Sequence, residues 1–118
     1  MAGARMRRVN KAVREVVSAH IAEDLVDPRI GFVTVTGVET SADLRSARVF
    51  VSVLGESAER EAALEGLASA SGYLQQRVGE ELRMKRTPTL AFVHDDSIDT
   101  GMRISELLSE VAPGEAKE

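Results

Sequence analysis

The sequence predicts an α+β domain in which helices cover one face of a three-stranded sheet. Three observations carry the prediction: apolar residues at three- and four-residue spacing near the N-terminus, three runs with strand-like alternation, and a second helical stretch broken near Gly72. In chain order the elements read α-β-β-α-break-α-β-α. With 118 residues, 43% of them hydrophobic, the chain suffices for one modest core. That domain is placed over residues 1–111, with 112–118 as a frayed, charged tail.

The first helix takes its apolar stripe from Val9, Val13, Val16, Val17, Ile21 and Leu25. It ends before Asp27-Pro28, because proline disfavours helical geometry in the residue preceding it. His20 falls at the border of the stripe and reads as a boundary residue. Beyond the turn, "FVTVTGVET" alternates valine with threonine and reads as a strand, with Gly37 as a candidate bulge. "RSARVFVSVL" places Ala47, Val49, Val51 and Val53 on one face and Arg48, Phe50 and Ser52 on the other, so the two strands form an antiparallel hairpin. Gly55 ends the second strand, and Ser57 is the expected cap of the next helix, which carries Leu64 and Leu67 at helical spacing. Gly72 costs about 1 kcal/mol relative to alanine inside a helix and so marks the break. After it, Leu74, Val78 and Leu82 resume the helical spacing. "TPTLAFVHD" is the third strand, making the sheet mixed or antiparallel, and Ser97 or Asp99 opens a final helix through Ile104, Leu107, Leu108 and Val111.

Composition narrows the function classes. Aromatic residues make up 3% of the chain and tryptophan is absent, so aromatic stacking is not the main recognition device. Cysteine is absent, which excludes disulfides and cysteine-ligated zinc and fits a reducing cytosol. The N-terminus lacks a long apolar run, so neither a signal peptide nor a membrane span is expected, and the cytoplasm is the expected location. The formal net charge is −4, yet residues 1–14 carry five bases and no acid. The other ten bases stand against nineteen acids. A basic arm on an acidic remainder is the asymmetry of a protein that touches a polyanion at one place.

Arg7, Arg8, Lys11 and Arg14 lie three and four apart and put a basic face on the first helix. A second group, Arg83, Lys85 and Arg86, stands where the broken helix meets the third strand, with Arg77 earlier on that helix. One cation would complement the helix dipole; the group exceeds that need and points to phosphate. "HDDSIDTG" offers His94, Asp95, Asp96, Ser97 and Asp99 as candidate acid, base or metal-binding groups. Successive strand residues point to opposite faces and a turn scatters the rest, so no catalytic or metal-binding residue is assigned. The segment reads instead as a turn in which Ser97 or Asp99 caps a helix. Neither a phosphate-cradling glycine loop nor a nucleophile elbow is present. A non-enzymatic phosphate binder without a cofactor leads. Two rivals stay open: an interaction module whose acidic helix, "ESAEREAALEG", docks a basic protein, and a small hydrolase built on His94, Asp95 and Asp96.

Three stretches and the order of elements carry a resemblance. They are "DPRIGFVTVTGVETSADLRSARVFVSV", the "ASG" of Ala70 to Gly72, and "RMKRTPTLAFVHDDSIDTGMRI", with Pro88, Leu90, Phe92, Asp95, Ser97, Gly101 and Arg103 at the family's spacing. The chain resembles the ribosome-binding factor A family, bacterial assembly factors of the small ribosomal subunit with a KH-like fold of type II topology, over nearly its whole length. Ordinary KH domains clamp single-stranded RNA with Gly-x-x-Gly between their two helices. Here Ala70-Ser71-Gly72 stands at the break, the alanine-to-glycine kink that the resembled family carries. The missing clamp and the scarcity of aromatics disfavour a generic single-stranded RNA binder.

The resemblance implies a non-enzymatic factor that binds the small (30S) subunit and its 16S rRNA and supports maturation of the 5′ end of that RNA. It also implies an association with growth in the cold. No small-molecule substrate and no membrane partner are expected, and the lack of a leftover apolar seam favours a monomer. The expected RNA contacts are Arg7, Arg8, Lys11 and Arg14, followed by Arg77, Arg83, Lys85 and Arg86. After these come the kink residues Ser71, Gly72 and Tyr73, with Arg45 and Arg103 as candidates that contact RNA or pair with an acid.

Overall fold

The computed structural model describes residues 2–96. The expected final helix and the tail, with Arg103, lie outside the described residues. The chain runs α1 (Ala2–Asp24), β1 (Val33–Thr40), β2 (Ser46–Val53), α2 (Ser57–Ser69), α3 (Ser71–Leu82) and β3 (Thr89–His94). β2 is the central strand, antiparallel to β1 and parallel to β3. The mixed pairing follows from the connections. A short turn joins β1 to β2, whereas the passage through α2 and α3 returns the chain to the end where β2 began.

Pairing in the hairpin slips between Val35 and Gly37, which makes Thr36 the extra residue of a β-bulge where the glycine suggested one. Val35 of β1, Ala47, Val49, Val51 and Val53 of β2, and Leu90 of β3 belong to the core, and the partly buried Val38 and Phe92 pack against it. α1 packs on β1 and α3, α2 on β3 and β2, and α3 on β3 and α1. Val13, Val17, Val49, Val51, Leu67, Leu74 and Val78 are wholly buried, each contributing roughly 1.5–3 kcal/mol relative to exposure.

The helical break is centred on Ala70, not on Gly72. Ala70 closes α2 and opens α3 with φ −91° and ψ 0°. Its N–H donates to the Gly66 and Leu67 carbonyls at 3.1 and 3.0 Å, and its carbonyl accepts from Leu74 N–H at 3.0 Å. Those dihedrals lie in the bridge region, which is open to ordinary residues, so the bend needs no glycine. Gly72 is the second residue of α3, exposed, with no atom within 4 Å of a Cβ built on it. The glycine that packing requires is Gly66. A Cβ there would lie 2.8 Å from Ile30 Cγ1 and 3.3 Å from Asp27 Oδ2. α2 thus sits directly against the Asp27-Pro28 turn, which Arg29 N–H closes by donating to Asp27 Oδ1 at 3.0 Å. The start of α2 also differs from expectation: Glu56 is the cap rather than Ser57, and its N–H donates to Glu59 Oε1 at 2.9 Å.

His20 is buried, 8% exposed, rather than a boundary residue. Its Nδ1 lies 2.5 Å from Asp24 Oδ2 and its Nε2 2.5 Å from Glu81 Oε2. Both partners are carboxylates, so the imidazolium, with a donor on each nitrogen, is the form that serves them. The bond to Glu81, then that to Asp24, holds the imidazole above its ordinary pKa of 6.5. Tyr73 also donates its hydroxyl to Asp24, and this bond, with that from His20, holds the Asp24 carboxyl below its usual range. The clasp joins the end of α1 to α3. Because Tyr73 meets Asp24 and Glu81 meets His20, α3 runs antiparallel to α1.

Gly72→Ala should raise stability by roughly 0.5–1 kcal/mol, whereas Gly66→Ala, which crowds Ile30, should lower it by about 1–3 kcal/mol. Urea unfolding of the two variants reads both signs. The raised pKa of His20 means that the clasp stabilises fully below the unfolded-state value and is lost as pH rises through the higher folded value. The Tm gap between the parent and His20→Gln should therefore narrow from mildly acidic to alkaline pH; a gap that widens contradicts the clasp.

Candidate nucleic-acid interface

The cations of the described residues divide into two populations. Arg29 pairs with Asp27 at 2.6 Å, Arg45 with Asp43 at 3.8 Å, Arg48 with Glu39, and Arg77 with Glu80 and Glu81 at 2.9 and 3.3 Å. Arg48 also lies over the Phe50 ring, 5.5 Å from its centroid, and Arg60 is engaged as well. Arg5, Arg7, Arg8, Lys11, Arg14, Arg83, Lys85 and Arg86 are all exposed and have no acidic partner among the described residues. The unpaired set therefore comprises the basic arm of α1 and the second basic group without Arg77.

α1 brings part of the first group together. Arg7, Lys11 and Arg14 recur at the spacing of one helix face and line an open groove of about 370 Å³ with Asn10 and with Gly37 and Val38 of β1. Arg8 is displaced by about 100° around the helix and does not line it. Arg5 lines a neighbouring recess with Met6, Ala42 and Leu44 of the hairpin turn. Asn10, Gly37 and Val38 were not singled out from the sequence. Asn10 was legible as the residue one turn from both Arg7 and Arg14, but a strand's approach to that face has no local signal.

The second group follows a tightly closed helix end. Arg83 adopts the left-handed conformation, φ 53°, as the cap of α3, and Met84 N–H donates to Gly79 O at 3.2 Å. A Cβ on Gly79 would lie 2.5 Å from Thr87 Oγ1, so the loop packs straight onto the helix at a residue without a side chain. Gln75 Nε2 donates to Thr87 O at 3.2 Å and pins the same loop. The groove is lined from the first group alone.

The kink residues stand elsewhere. Ser71, Gly72 and Tyr73 form the first turn of α3, and Tyr73 is bound to Asp24, about 15 Å along α1 from Arg14. Arg77 faces the carboxylates of its own helix. This end of the α1–α3 pair is thus rich in acid, with Asp24 and Glu81 on either side of His20 and Glu80 on Arg77. His94 Nδ1 lies 2.9 Å from Asp96 Oδ1, while Asp95 accepts from Thr36 Oγ1 at 2.6 Å, so the neighbouring acids engage different partners and do not converge. Among the described residues no cluster of His, Asp and Glu could hold a metal ion, and no helix is long and apolar enough to cross a membrane.

The family described as Ribosome-binding factor A matches residues 5–108. Ribosome-binding factor A of Halothermothrix orenii is 46% identical over 107 residues, 91% of this chain and 88% of that one. The crystal structure of ribosome-binding factor A from Thermus thermophilus aligns with a TM-score of 0.68 at 28% identity, over 75% of this chain and 94% of that one. A homology model of the Thermus thermophilus factor fitted into the cryo-EM map of a 30S complex aligns with a TM-score of 0.62 at 29% identity, over 74% and 91%. The helices and mixed three-stranded sheet match these structures and agree with the KH-like form expected. Members of this family are non-catalytic, which sets aside the hydrolase reading. With 104 consecutive residues matched and a shared fold, the chain belongs to the ribosome-binding factor A family.

Proposed function

We propose that this protein binds the small ribosomal subunit through phosphates of its 16S rRNA and favours the RNA conformation needed for maturation of the 5′ end. The observation that carries the reading is the division of cations: five unpaired bases stand on α1 and three follow α3, while the remaining described bases are engaged. An unpaired exposed cation has no internal partner to give up when it meets a phosphate, whereas a paired one must first release its acid. Fitting of a Thermus thermophilus relative into a 30S complex supports the choice of partner.

Arg7, Lys11 and Arg14 are the principal contacts on this reading, with Arg8 beside them and Arg83, Lys85 and Arg86 as a second contact. Arg77, Arg45 and the kink residues rank lower, since Arg77 and Arg45 hold acids and Tyr73 is tied to α1. The factor acts without catalysis: a binder that prefers one RNA conformation shifts the population toward it. Such help matters most in the cold, when mispaired RNA rearranges slowly. The protein works as a cytoplasmic monomer through the single domain of residues 1–111, and it takes no small-molecule substrate.

Affinity for purified small subunits should fall steeply with salt, with a log–log slope of about −0.7 to −0.9 per phosphate contact. Sedimentation across a salt series measures it. A flat dependence would remove phosphate binding from the account.

A further inference from the structure

We propose that the groove between α1 and the β1 bulge seats a single run of RNA backbone, and that Asn10 is a neutral hydrogen-bond donor to it. The proposal rests on the phosphate-binding reading above and adds a residue, a direction and a shape. Asn10 Oδ1 accepts from the Thr40 N–H at 3.0 Å. A backbone N–H can only donate, so this bond fixes which end of the amide faces β1. The Nδ2 group is left with no partner among the described residues, on the side chain that lines the groove with Arg7, Lys11 and Arg14. An amide held by its oxygen and offering its N–H groups is a preset donor for a phosphate or ribose oxygen.

The cations form a row rather than a cup. Along α1, Lys11 lies about 6 Å from Arg7, and Arg14 about 4.5 Å beyond. A row of that kind follows successive phosphates of one strand, while a single small anion would meet only one of them. Gly37 opens the groove on the β1 side. A Cβ built there meets nothing within 4 Å, and its backbone is outside the left-handed region. The absence of a side chain is therefore not demanded by packing or by conformation, and it leaves a wall low enough for a backbone to lie against the strand.

Gly37→Leu separates this from bulk electrostatics, and Asn10→Asp tests the donor. Gly37→Leu adds no charge and fills space at the groove wall. Asn10→Asp keeps an acceptor for Thr40 N–H and replaces the outward donor with a carboxylate oxygen. Each should keep the parent's thermal transition and lower the affinity for purified small subunits by about tenfold or more at fixed salt. The Arg7→Ala, Lys11→Ala, Arg14→Ala triple variant tests the underlying reading in the same assay. If the triple variant loses affinity while folded Gly37→Leu and Asn10→Asp bind like the parent, the groove is overturned and phosphate binding stands. If the triple variant also binds like the parent, both fall. Should Gly37→Leu fail to fold, the smaller and equally neutral Gly37→Val decides between these outcomes.

Discussion

Burial of one valine stripe on α1 is the constraint from which the rest of the structure follows. Val13, Val16 and Val17 are pressed into the core where α1 meets β1 and α3, and among the described residues no wholly buried side chain is larger than leucine. Small branched side chains pack closely and leave little room for slippage. Once the stripe is down, helical periodicity decides every other face of α1. Arg7, Lys11 and Arg14 come up beside β1, and His20 turns toward α3.

The two ends of α1 then acquire opposite chemistry. Toward the N-terminus there are bases without acids; toward the C-terminus Asp24 and Glu81 of α3 flank a buried histidine, and Glu80 holds Arg77. Net charge hides this arrangement because nineteen acids outweigh fifteen bases over the whole chain while none of those acids lies in residues 1–14. A polyanion approaching the molecule is attracted at one end of α1 and repelled at the other, so charge orients it before any close contact forms. The break between α2 and α3 lies at the acidic end, where it shapes the fold: it lets α2 rest on β2 and β3 while α3 reaches α1.

Much of this was legible in the sequence, for a physical reason. Period and alternation report which side of an element is buried, and so the valine stripe, the three strands, the bulge at Gly37 and both basic groups could be read directly. Glycine could not be read the same way. Gly72 has the composition signature of a hinge and is an ordinary exposed helical residue, while Gly66, inside an apparently regular helix, is the one pressed against Ile30. Whether a missing side chain matters depends on what approaches from elsewhere in the chain, and that is tertiary information. Pairing is hidden for the same reason. Arg77 reads as part of a basic group until Glu80 and Glu81 are seen to hold it, and His20 meets Glu81 across sixty-one residues of sequence.

We infer that unpaired cations, rather than positive charge in general, carry subunit binding. It is tested most directly by comparing two triple variants of equal charge change, one replacing Arg7, Lys11 and Arg14 by alanine and the other replacing the acid-bound Arg29, Arg45 and Arg48. Affinities for purified small subunits would be measured at one ionic strength, with thermal unfolding as a control for folding. A large loss is expected for the first and little change for the second. Equal losses would mean that overall charge governs binding and would contradict it.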